Sequence, residues 1–281
     1  MQIDINGTLH EERDLSLSPL DSSVYYGLSV YETMFLKNGN IAFFEEHMSR
    51  LEISTKFFNL EYPSPTEVRN RIKELVRKNQ LINGRIRLIV SGGKYTELGK
   101  KNNPNSFITF EIIHTFSDSI TLCTTSIKKP EPYIYPPGVK VSANHFSLMS
   151  YLEAKRKGFQ EGIMLTEKEH IAEGSYCNLF WKKGDSFFTP SLDSSILDGV
   201  TRNKIIEICQ NLQIECKQDK FSLQDLESCD SLYISSSTRG LLRVSRLNDK
   251  LFYNTADNAK IKIDIEYEKL LEKSLIEWSK D

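Results

Sequence analysis

The stretch that decides the fold is residues 170–202, HIAEGSYCNLFWKKGDSFFTPSLDSSILDGVTR. It predicts a strand, a Gly-Ser turn, two further strands, a loop and a helix start, since β-branched and aromatic runs alternate with turn-forming residues. One carboxylate, Glu173, lies just before the turn, and the helix opens with Gly199, Val200, Thr201 and Arg202. The pattern raises the question of why an acid and a glycine-led helix start belong to one strand-rich region.

Length and charge favour a compact protein that acts on a small molecule. The 281 residues suffice for one large or two ordinary domains. The 36 basic and 38 acidic residues nearly balance, so no charge excess points to nucleic acid or an anionic membrane. The chain shows no signal-peptide pattern and no apolar run near the roughly 18 residues of a membrane helix, which predicts a cytoplasmic protein.

Cysteine and histidine spacing gives no indication of a metal site. Five cysteines form no CxxC pair, which favours reduced thiols over a disulfide framework or a zinc site. Five histidines are scattered without the spacing of metal ligands. We therefore expect no metal cofactor.

Strand and helix signals alternate in both halves, which predicts an α+β protein. Ser64, Pro65 and Glu67 mark a capped helix start. Two strand patterns, GRIRLIVSGG and NSFITFEIIHTF, follow it around the polar loop KYTELGKKNNP. The pattern restarts at SITLCTTSIKK, so we predict two domains, residues 1–118 and 119–281.

Four further elements place the candidate residues. The segment IAFFEEHMSRLEISTKFF predicts a strand and then a helix that contains Arg50, with Met48, Leu51 and Ile53 on roughly one side. The run VKVS, which contains Lys140, predicts a strand, and a helix is expected over roughly residues 147–158.

Three features could bind a phosphate. The first amides of a helix that opens at Gly199 lack intrahelical partners and lie at the positive end of the dipole. Ser237 and Thr238 follow the apolar strand LYI and offer hydroxyls, and Arg50 offers a guanidinium fork. Each is more often an ordinary helix start, turn or solvent-facing arginine, so only their combination indicates a site.

Two residues could act chemically. Lys140 lies in an apolar run, where a desolvated amine can attack an aldehyde. Glu173, at a strand end, could pair with a cationic nitrogen of a ligand. Lysines on edge strands and acids in turns are common, so neither residue alone indicates catalysis.

Taken together and in this order, these residues resemble the fold-type IV pyridoxal-phosphate enzymes, or class IV aminotransferases. The family includes branched-chain and D-amino acid aminotransferases and aminodeoxychorismate lyase. Residues 161–202 are similar to its pattern E-x-x-L…T/S-E-G-x-x-x-N-L/I-F…T-P…I-L-x-G-I-T-R, and YYGLSVYET, EEHMSRL and YISSSTRGLLRV resemble further family segments. The resemblance implies an α+β fold with a smaller N-terminal α/β domain and a larger C-terminal β-barrel-like domain.

The resemblance also implies a pyridoxal 5′-phosphate site. Lys140 would be covalently linked to the cofactor, and Glu173 would keep the ring nitrogen protonated, so that the ring takes up electrons from a breaking substrate bond. The other implied cofactor contacts are Arg50, the amides of Val200 and Thr201, Ser237, Thr238 and, under the ring, Leu197.

The residues implied near the substrate depart in part from the family pattern. Tyr31 and Thr33 lie in the YET segment, where lyases of the family often carry a threonine. Tyr176 falls where relatives keep a small residue, and His145 takes the place of a tyrosine. Gly92 stands where D-amino acid aminotransferases carry an arginine for the substrate carboxylate, so that specificity is not expected.

Two reactions therefore stay open. Transamination between an amino acid, branched-chain rather than D, and a 2-oxo acid has a slight preference from the sequence. The alternative is elimination of pyruvate from aminodeoxychorismate to leave 4-aminobenzoate. A silent scaffold is disfavoured because it would not need Lys140, Glu173, Arg50 and Thr201, and the resemblance further implies a homodimer.

Overall fold

The structure, a computed structural model, describes residues 1–14, 16–94, 103–113, 118–253 and 257–280. Most of the loop KYTELGKKNNP lies outside these residues. The chain divides into two compact units: the first comprises Met1–His114, Gly138–Ala143 and Leu271–Asp281, and the second comprises Thr115–Pro137 and Asn144–Leu270. The domain boundary at residue 118 stays a prediction.

The first unit is built on an antiparallel sheet. Its strands are β1 (Gln2–Ile5), β2 (Thr8–Glu11), β3 (Ser29–Lys37), β4 (Asn40–Ile41), β5 (Gly84–Ser91) and β6 (Asn105–Glu111), and its helices are α1 (Ser22–Tyr26), α2 (Phe44–Phe57) and α3 (Pro65–Asn79). The strands pair in the order β2-β1-β6-β5-β3-β4. The core lies between the sheet and helices α2 and α3, with Met34, Leu51, Ile72 and Leu88 fully buried.

Helices α2 and α3 of the first unit follow the sequence signals, with one exception within α2. The predicted cap of α3 is confirmed, because the Ser64 hydroxyl accepts a hydrogen bond from the Glu67 amide at 3.2 Å. Met48 and Leu51 of α2 are buried, but Ile53 is 50% exposed, so its predicted place on the apolar side was wrong. Two residues span about 200° around a helix, which turns Ile53 away from Leu51.

The predicted strand at VKVS was also wrong. Val141 makes only an isolated antiparallel bridge to Val30, next to a hydrogen bond from the Ser142 amide to the Ser29 carbonyl. The segment contacts only the start of β3, whereas β4 pairs with the far end of the same strand. Lys140 is therefore held in a short extended segment outside the regular strands.

The second unit contains a mixed sheet. Its strands are β7 (Ser119–Lys129), β8 (Glu161–Thr166), β9 (Ile171–Gly174), β10 (Asn178–Lys183), β11 (Ser186–Pro190), β12 (Cys216–Asp219), β13 (Ser231–Ser236), β14 (Gly240–Leu247) and β15 (Lys250–Leu251). Helices α4 (His145–Arg156), α5 (Val200–Asn211) and α6 (Leu223–Glu227) follow in chain order, and the last helix of the chain is α7 (Asn258–Lys280). The sheet order is β12-β11-β10-β13-β14-β7-β8-β9, with β15 beside β14.

The strand-rich reading of residues 170–202 is confirmed by β9, β10, β11 and the start of α5. The helix expected over roughly 147–158 is α4, which packs against the parallel pair β7 and β8. Trp181 is buried in the hydrophobic core of the second unit, where its ring stacks on Phe188 and meets Phe221 edge-on. Within the described residues, no helix has both the length and the apolar character needed to cross a membrane.

Candidate active site

The backbone of Lys140 is fixed by two elements of the first unit. Its amide donates to the Ser54 hydroxyl of α2 at 3.0 Å, and its carbonyl accepts from the Tyr31 amide of β3 at 3.2 Å. The Ser54 hydroxyl also donates to the Arg50 carbonyl at 3.0 Å, one helical turn earlier. These bonds hold the short segment that carries the lysine against both the helix and the sheet.

The Lys140 amine is directed at Tyr31. Its Nζ lies 4.4 Å from the centre of the Tyr31 ring, and the side chain is half-buried. The positive charge of Lys140 lowers the pKa of Tyr31, although burial of the phenol opposes the shift. A cation over an aromatic face is stabilised by the ring quadrupole, so Tyr31 helps to hold the amine in place.

Thr33 and Arg87 extend this arrangement along the sheet. Thr33 follows Tyr31 by two residues and therefore lies on the same face of β3. Arg87 is directly opposite Thr33 on β5, and its guanidinium carbon lies 5.3 Å from the centre of the Tyr31 ring. Its buried Nε has no hydrogen-bond partner among the described residues.

Sequence reasoning did not identify Arg87. The alternation in GRIRLIV could have placed this arginine on the polar face of its strand, but the register that sets it opposite Thr33 depends on the pairing of β3 with β5.

Arg50 does not face solvent, as an arginine on a surface helix usually does. Its Nε donates to Glu32 Oε1 at 2.8 Å and its Nη2 donates to Glu32 Oε2 at 2.7 Å, and both side chains are buried. His47 Nδ1 donates to the same Glu32 Oε2 at 2.7 Å. Positions i and i+3 share one side of a helix, so His47 and Arg50 of α2 both reach the carboxylate on β3.

Charge within this buried cluster is balanced. Burial opposes ionisation of Glu32, but the charge of Arg50 and hydrogen bonds from Arg50 and His47 lower the pKa of Glu32 to about 2. Burial lowers the pKa of His47, against the attraction of Glu32. The cluster is thus a carboxylate, a guanidinium and a neutral imidazole.

Glu173 is the corresponding buried carboxylate of the second unit. Its Oε2 accepts from the Leu197 amide at 2.9 Å and from Asn178 Nδ2 at 3.1 Å, and its Oε1 accepts from Lys129 Nζ at 2.6 Å. Asn178 Nδ2 also donates to the Leu197 carbonyl at 2.9 Å. Glu173 therefore fixes the loop that leads into α5. This contact explains why the acid and the helix start at Gly199 occur in the same strand-rich region.

The start of α5 offers backbone amides. Gly199 is its N-cap residue and provides no side-chain cap. A Cβ on Gly199 would lie 2.1 Å from Asn178 Oδ1, so only glycine fits there. Arg202 does not face outward, because its buried Nη2 donates to the Pro190 carbonyl and to Gln218 Oε1, both at 2.9 Å.

Other predicted residues of the second unit vary in exposure. Val200 and Thr201 are buried at the helix start, and Ser237 and Thr238 are partly buried in the turn between β13 and β14. Ser235 lies two residues before Ser237, on β13; its buried hydroxyl has no hydrogen-bond partner among the described residues. It lies directly opposite Asn178 in the β10–β13 pairing.

Two residues predicted to line the substrate pocket are more exposed. Tyr176 is half-exposed, and its ring meets Tyr151 edge-on with the ring centres 5.7 Å apart. His145 is the exposed first residue of α4.

Comparison with known proteins places the chain in a family. The model of the family described as amino-transferase class IV matches residues 29–247. The chain belongs to the class IV aminotransferases. A curated relative of this class IV chain is the aminodeoxychorismate lyase of Bacillus subtilis (strain 168), which is 30% identical over 284 residues covering 94% of this chain and 93% of that protein.

Solved structures of class IV enzymes share the fold. The branched-chain amino acid aminotransferase of Escherichia coli matches with a TM-score of 0.87 and 25% identity, over 96% of this chain and 94% of that one. A second branched-chain amino acid aminotransferase, solved with pyridoxamine 5′-phosphate, matches in fold, with a TM-score of 0.87, 23% identity and the same two coverages. The predicted family and the α+β two-domain fold of fold type IV are confirmed.

Class IV enzymes use pyridoxal 5′-phosphate, and the chain is an enzyme of this pyridoxal-phosphate-dependent family. The groups described above fit this cofactor. The second unit contains a buried carboxylate, Glu173, which suits a cationic ring nitrogen. It also contains a helix start without a side-chain cap and a buried Ser235 hydroxyl with no hydrogen-bond partner among the described residues, and both suit a phosphate. The first unit supplies an anchored amine, Lys140, for an aldehyde.

Proposed function

We propose that the chain is an aminodeoxychorismate lyase, which releases pyruvate from aminodeoxychorismate and leaves 4-aminobenzoate. The observation that carries the proposal is the position of Thr33, on the strand face of Tyr31, whose ring lies 4.4 Å from Lys140 Nζ. Elimination requires a proton for the departing oxygen, which a hydroxyl can donate. Transamination requires only the lysine, so Thr33 reverses the slight preference drawn from the sequence.

The relationship to known proteins supports the same choice. The Bacillus subtilis relative named aminodeoxychorismate lyase aligns with 94% of this chain. Threonine at the position of Thr33 is also a feature that the sequence shares with lyases of the family.

The first unit would carry the chemical steps. When bound, pyridoxal 5′-phosphate supplies an electron-poor ring that takes up electrons from the breaking bond. Lys140 Nζ removes the proton from the substrate carbon, and Tyr31 holds that amine in position. Thr33 Oγ1 donates a proton to the leaving oxygen, and the Arg87 guanidinium binds a substrate carboxylate, for which its planar fork is suited.

The remaining proposed roles orient the cofactor. Glu173 holds the proton on the ring nitrogen, and Leu197, whose amide donates to Glu173, packs under the ring. The phosphate is bound by the amides of Val200 and Thr201, by Ser237 and Thr238, and by Arg50. Tyr176 and His145 remain proposed substrate contacts.

Transamination of a branched-chain amino acid is the second candidate. It is favoured by the likeness to the Escherichia coli branched-chain enzyme, at a TM-score of 0.87 and 25% identity. It is also favoured by the segments FQEGIML and IAEGSYCNLF, which are close to the branched-chain enzymes in sequence.

One experiment separates the two candidates. The purified enzyme is incubated with aminodeoxychorismate, and 4-aminobenzoate and pyruvate are measured. A parallel panel of L- and D-amino acids with 2-oxoglutarate is assayed for amino transfer. We expect stoichiometric 4-aminobenzoate and pyruvate; turnover of the amino acids alone would contradict the lyase assignment.

A variant tests the role of Thr33 directly. Thr33→Ala should lower the rate of 4-aminobenzoate release by about a hundredfold, the usual contribution of a positioned proton donor. Thr109→Ala, on the strand β6 that pairs with β5, is the matched control and should leave that rate unchanged. An equal rate in Thr33→Ala and the native enzyme would remove the proton-donor role.

We further propose a cytoplasmic homodimer. The described cysteines are all free thiols, as a reducing compartment favours. Helix α4 exposes Phe146, Leu148, Met149 and Leu152, an apolar group that a second copy could cover. Light scattering should give twice the mass of the 32.4 kDa chain, and Met149→Glu should shift the mass toward that of the monomer.

A further inference from the structure

We infer that Glu32 is a positioning residue for cofactor binding: it fixes the guanidinium of Arg50 in the orientation in which Arg50 binds the cofactor phosphate. The inference rests on the phosphate role proposed for Arg50. Glu32 lies in the YET segment, but the sequence analysis gave it no role, and the inferred role acts through another side chain.

The hydrogen bonds of Arg50 carry the argument. A fork that uses Nε and Nη2 on the two oxygens of one carboxylate leaves the guanidinium plane a single orientation. Glu32 is itself held in place, since it is fully buried on β3 and also accepts from His47. Rotation of Arg50 would therefore break two charge-assisted bonds at once.

The inference can be tested by whether removal of the Glu32 charge strengthens or weakens phosphate binding. Glu32 carries a negative charge next to the guanidinium, so electrostatics alone predicts that its removal strengthens attraction between Arg50 and a phosphate. Positioning predicts the opposite, because a guanidinium without its fork partner loses its fixed orientation. A neutral variant of Glu32 thus separates the two accounts.

The first unit contains a second pair that serves as a matched control. Arg71 Nε donates to Asp4 Oδ1 at 2.9 Å, and both side chains are buried, like those of Glu32 and Arg50. This pair links α3 to β1 as the other links α2 to β3. Loss of Asp4 should thus cost stability in a similar way without touching Arg50.

The experiment compares two aldehydes that differ only in the phosphate. Native enzyme, Glu32→Gln, Arg50→Met and Asp4→Asn are freed of cofactor and titrated with pyridoxal 5′-phosphate and with pyridoxal, and the dissociation constants are read from absorbance. The ratio of the two constants reports phosphate recognition alone. Thermal unfolding of each variant reports stability separately.

We expect Glu32→Gln to weaken pyridoxal 5′-phosphate binding about tenfold, the loss of roughly one charge-assisted hydrogen bond, and to leave pyridoxal binding unchanged. Asp4→Asn should lower thermal stability but keep the native ratio. Equal weakening for both aldehydes, or tighter binding of the phosphorylated one, would overturn the inference.

Arg50→Met distinguishes failure of the inference from failure of the proposed function. If Arg50→Met changes the ratio and Glu32→Gln does not, Glu32 has no positioning role although Arg50 binds phosphate. If Arg50→Met leaves the ratio native, the proposed phosphate role of Arg50 fails, and the inference fails with it. Should Glu32→Gln not fold, Glu32→Asp, whose side chain is one methylene shorter, carries the same expectation.

Discussion

The two units of this class IV chain contribute different kinds of groups. The first unit presents cationic side chains on a sheet and a helix, with Lys140 over Tyr31, Arg87 opposite Thr33, and Arg50 held by Glu32. The second unit presents a carboxylate fixed by a backbone amide, and the backbone amides at the start of α5, which the N-cap residue Gly199 does not cap with a side chain. Side chains can be removed by substitution, whereas a substitution can only displace backbone amides.

The largest expected effect tests a side chain of the first unit. Lys140→Ala should lower turnover by at least about a thousandfold, because the variant lacks the amine that moves the substrate proton. Turnover is measured by 4-aminobenzoate release. Lys155→Ala, an exposed lysine on α4, should retain native turnover.

The same lysine can be located chemically. Reduction of the native enzyme with borohydride and peptide mapping should place the pyridoxyl group on Lys140. A label on any other lysine would show that Lys140 is not the reactive amine.

The second expected effect concerns the carboxylate of the second unit. Glu173→Gln should lower turnover about a hundredfold to a thousandfold, as for loss of a preorganised electrostatic contact, while cofactor affinity changes far less. Glu169→Gln, which removes the exposed partner of Lys128, is the control and should behave as native. Near-native turnover in Glu173→Gln would mean that another group holds the ring nitrogen.

A third prediction concerns pH and the buried carboxylate of the first unit. The pKa of Glu32 falls from 4.5 to about 2 on folding, so its ionised form stabilises the fold above about pH 4.5. This contribution, on the order of 3 kcal/mol, is lost as the pH falls from about 4.5 to about 2.

Thermal unfolding of native enzyme and Glu32→Gln across this pH range checks the prediction. The difference between their unfolding midpoints should shrink as the pH falls. A constant difference would mean that the Glu32 carboxylate does not gain a proton in this window.

The smallest expected effect tests the backbone half of the comparison. Gly199→Ala brings a Cβ to 2.1 Å from Asn178 Oδ1, so the start of α5 must shift and its amides lose alignment with a phosphate. We expect pyridoxal 5′-phosphate to bind about tenfold more weakly, the equivalent of roughly one misaligned hydrogen bond. An unchanged affinity would argue against the helix start as the phosphate site.

Gly184→Ala is the control for this prediction. A Cβ at Gly184 meets no neighbouring atom, although its positive φ of 61° adds backbone strain. Cofactor affinity should stay native even if the variant is somewhat less stable.

Much of the fold could be predicted because its signals are local. The cap at Ser64 and the strand pattern around Glu173 depend on neighbouring residues, and both are confirmed. The two errors have different causes. Ile53 follows Leu51 by two residues, so the helical period itself turns it away from the buried side of α2. The segment around Lys140 makes only an isolated bridge to β3, and that outcome depends on how distant segments of the chain pair.

For the candidate site, the residues themselves could be predicted from the sequence, but their partners could not. Lys140, Glu173 and Arg50 could be selected from motif order alone. The pairing of Arg50 with Glu32, of Glu173 with Lys129, and of Thr33 with Arg87 could not, because each joins residues on different strands or helices.

The sequence by itself determined the family, most of the order of strands and helices from α2 onward, and which residue types are available for cofactor chemistry, since these follow from short-range spacing and composition. Only the tertiary structure decided which charges are neutralised and which groups face one another. Burial sets the electrostatic cost of each charge and strand register sets its neighbours, and both arise only when distant segments pack together.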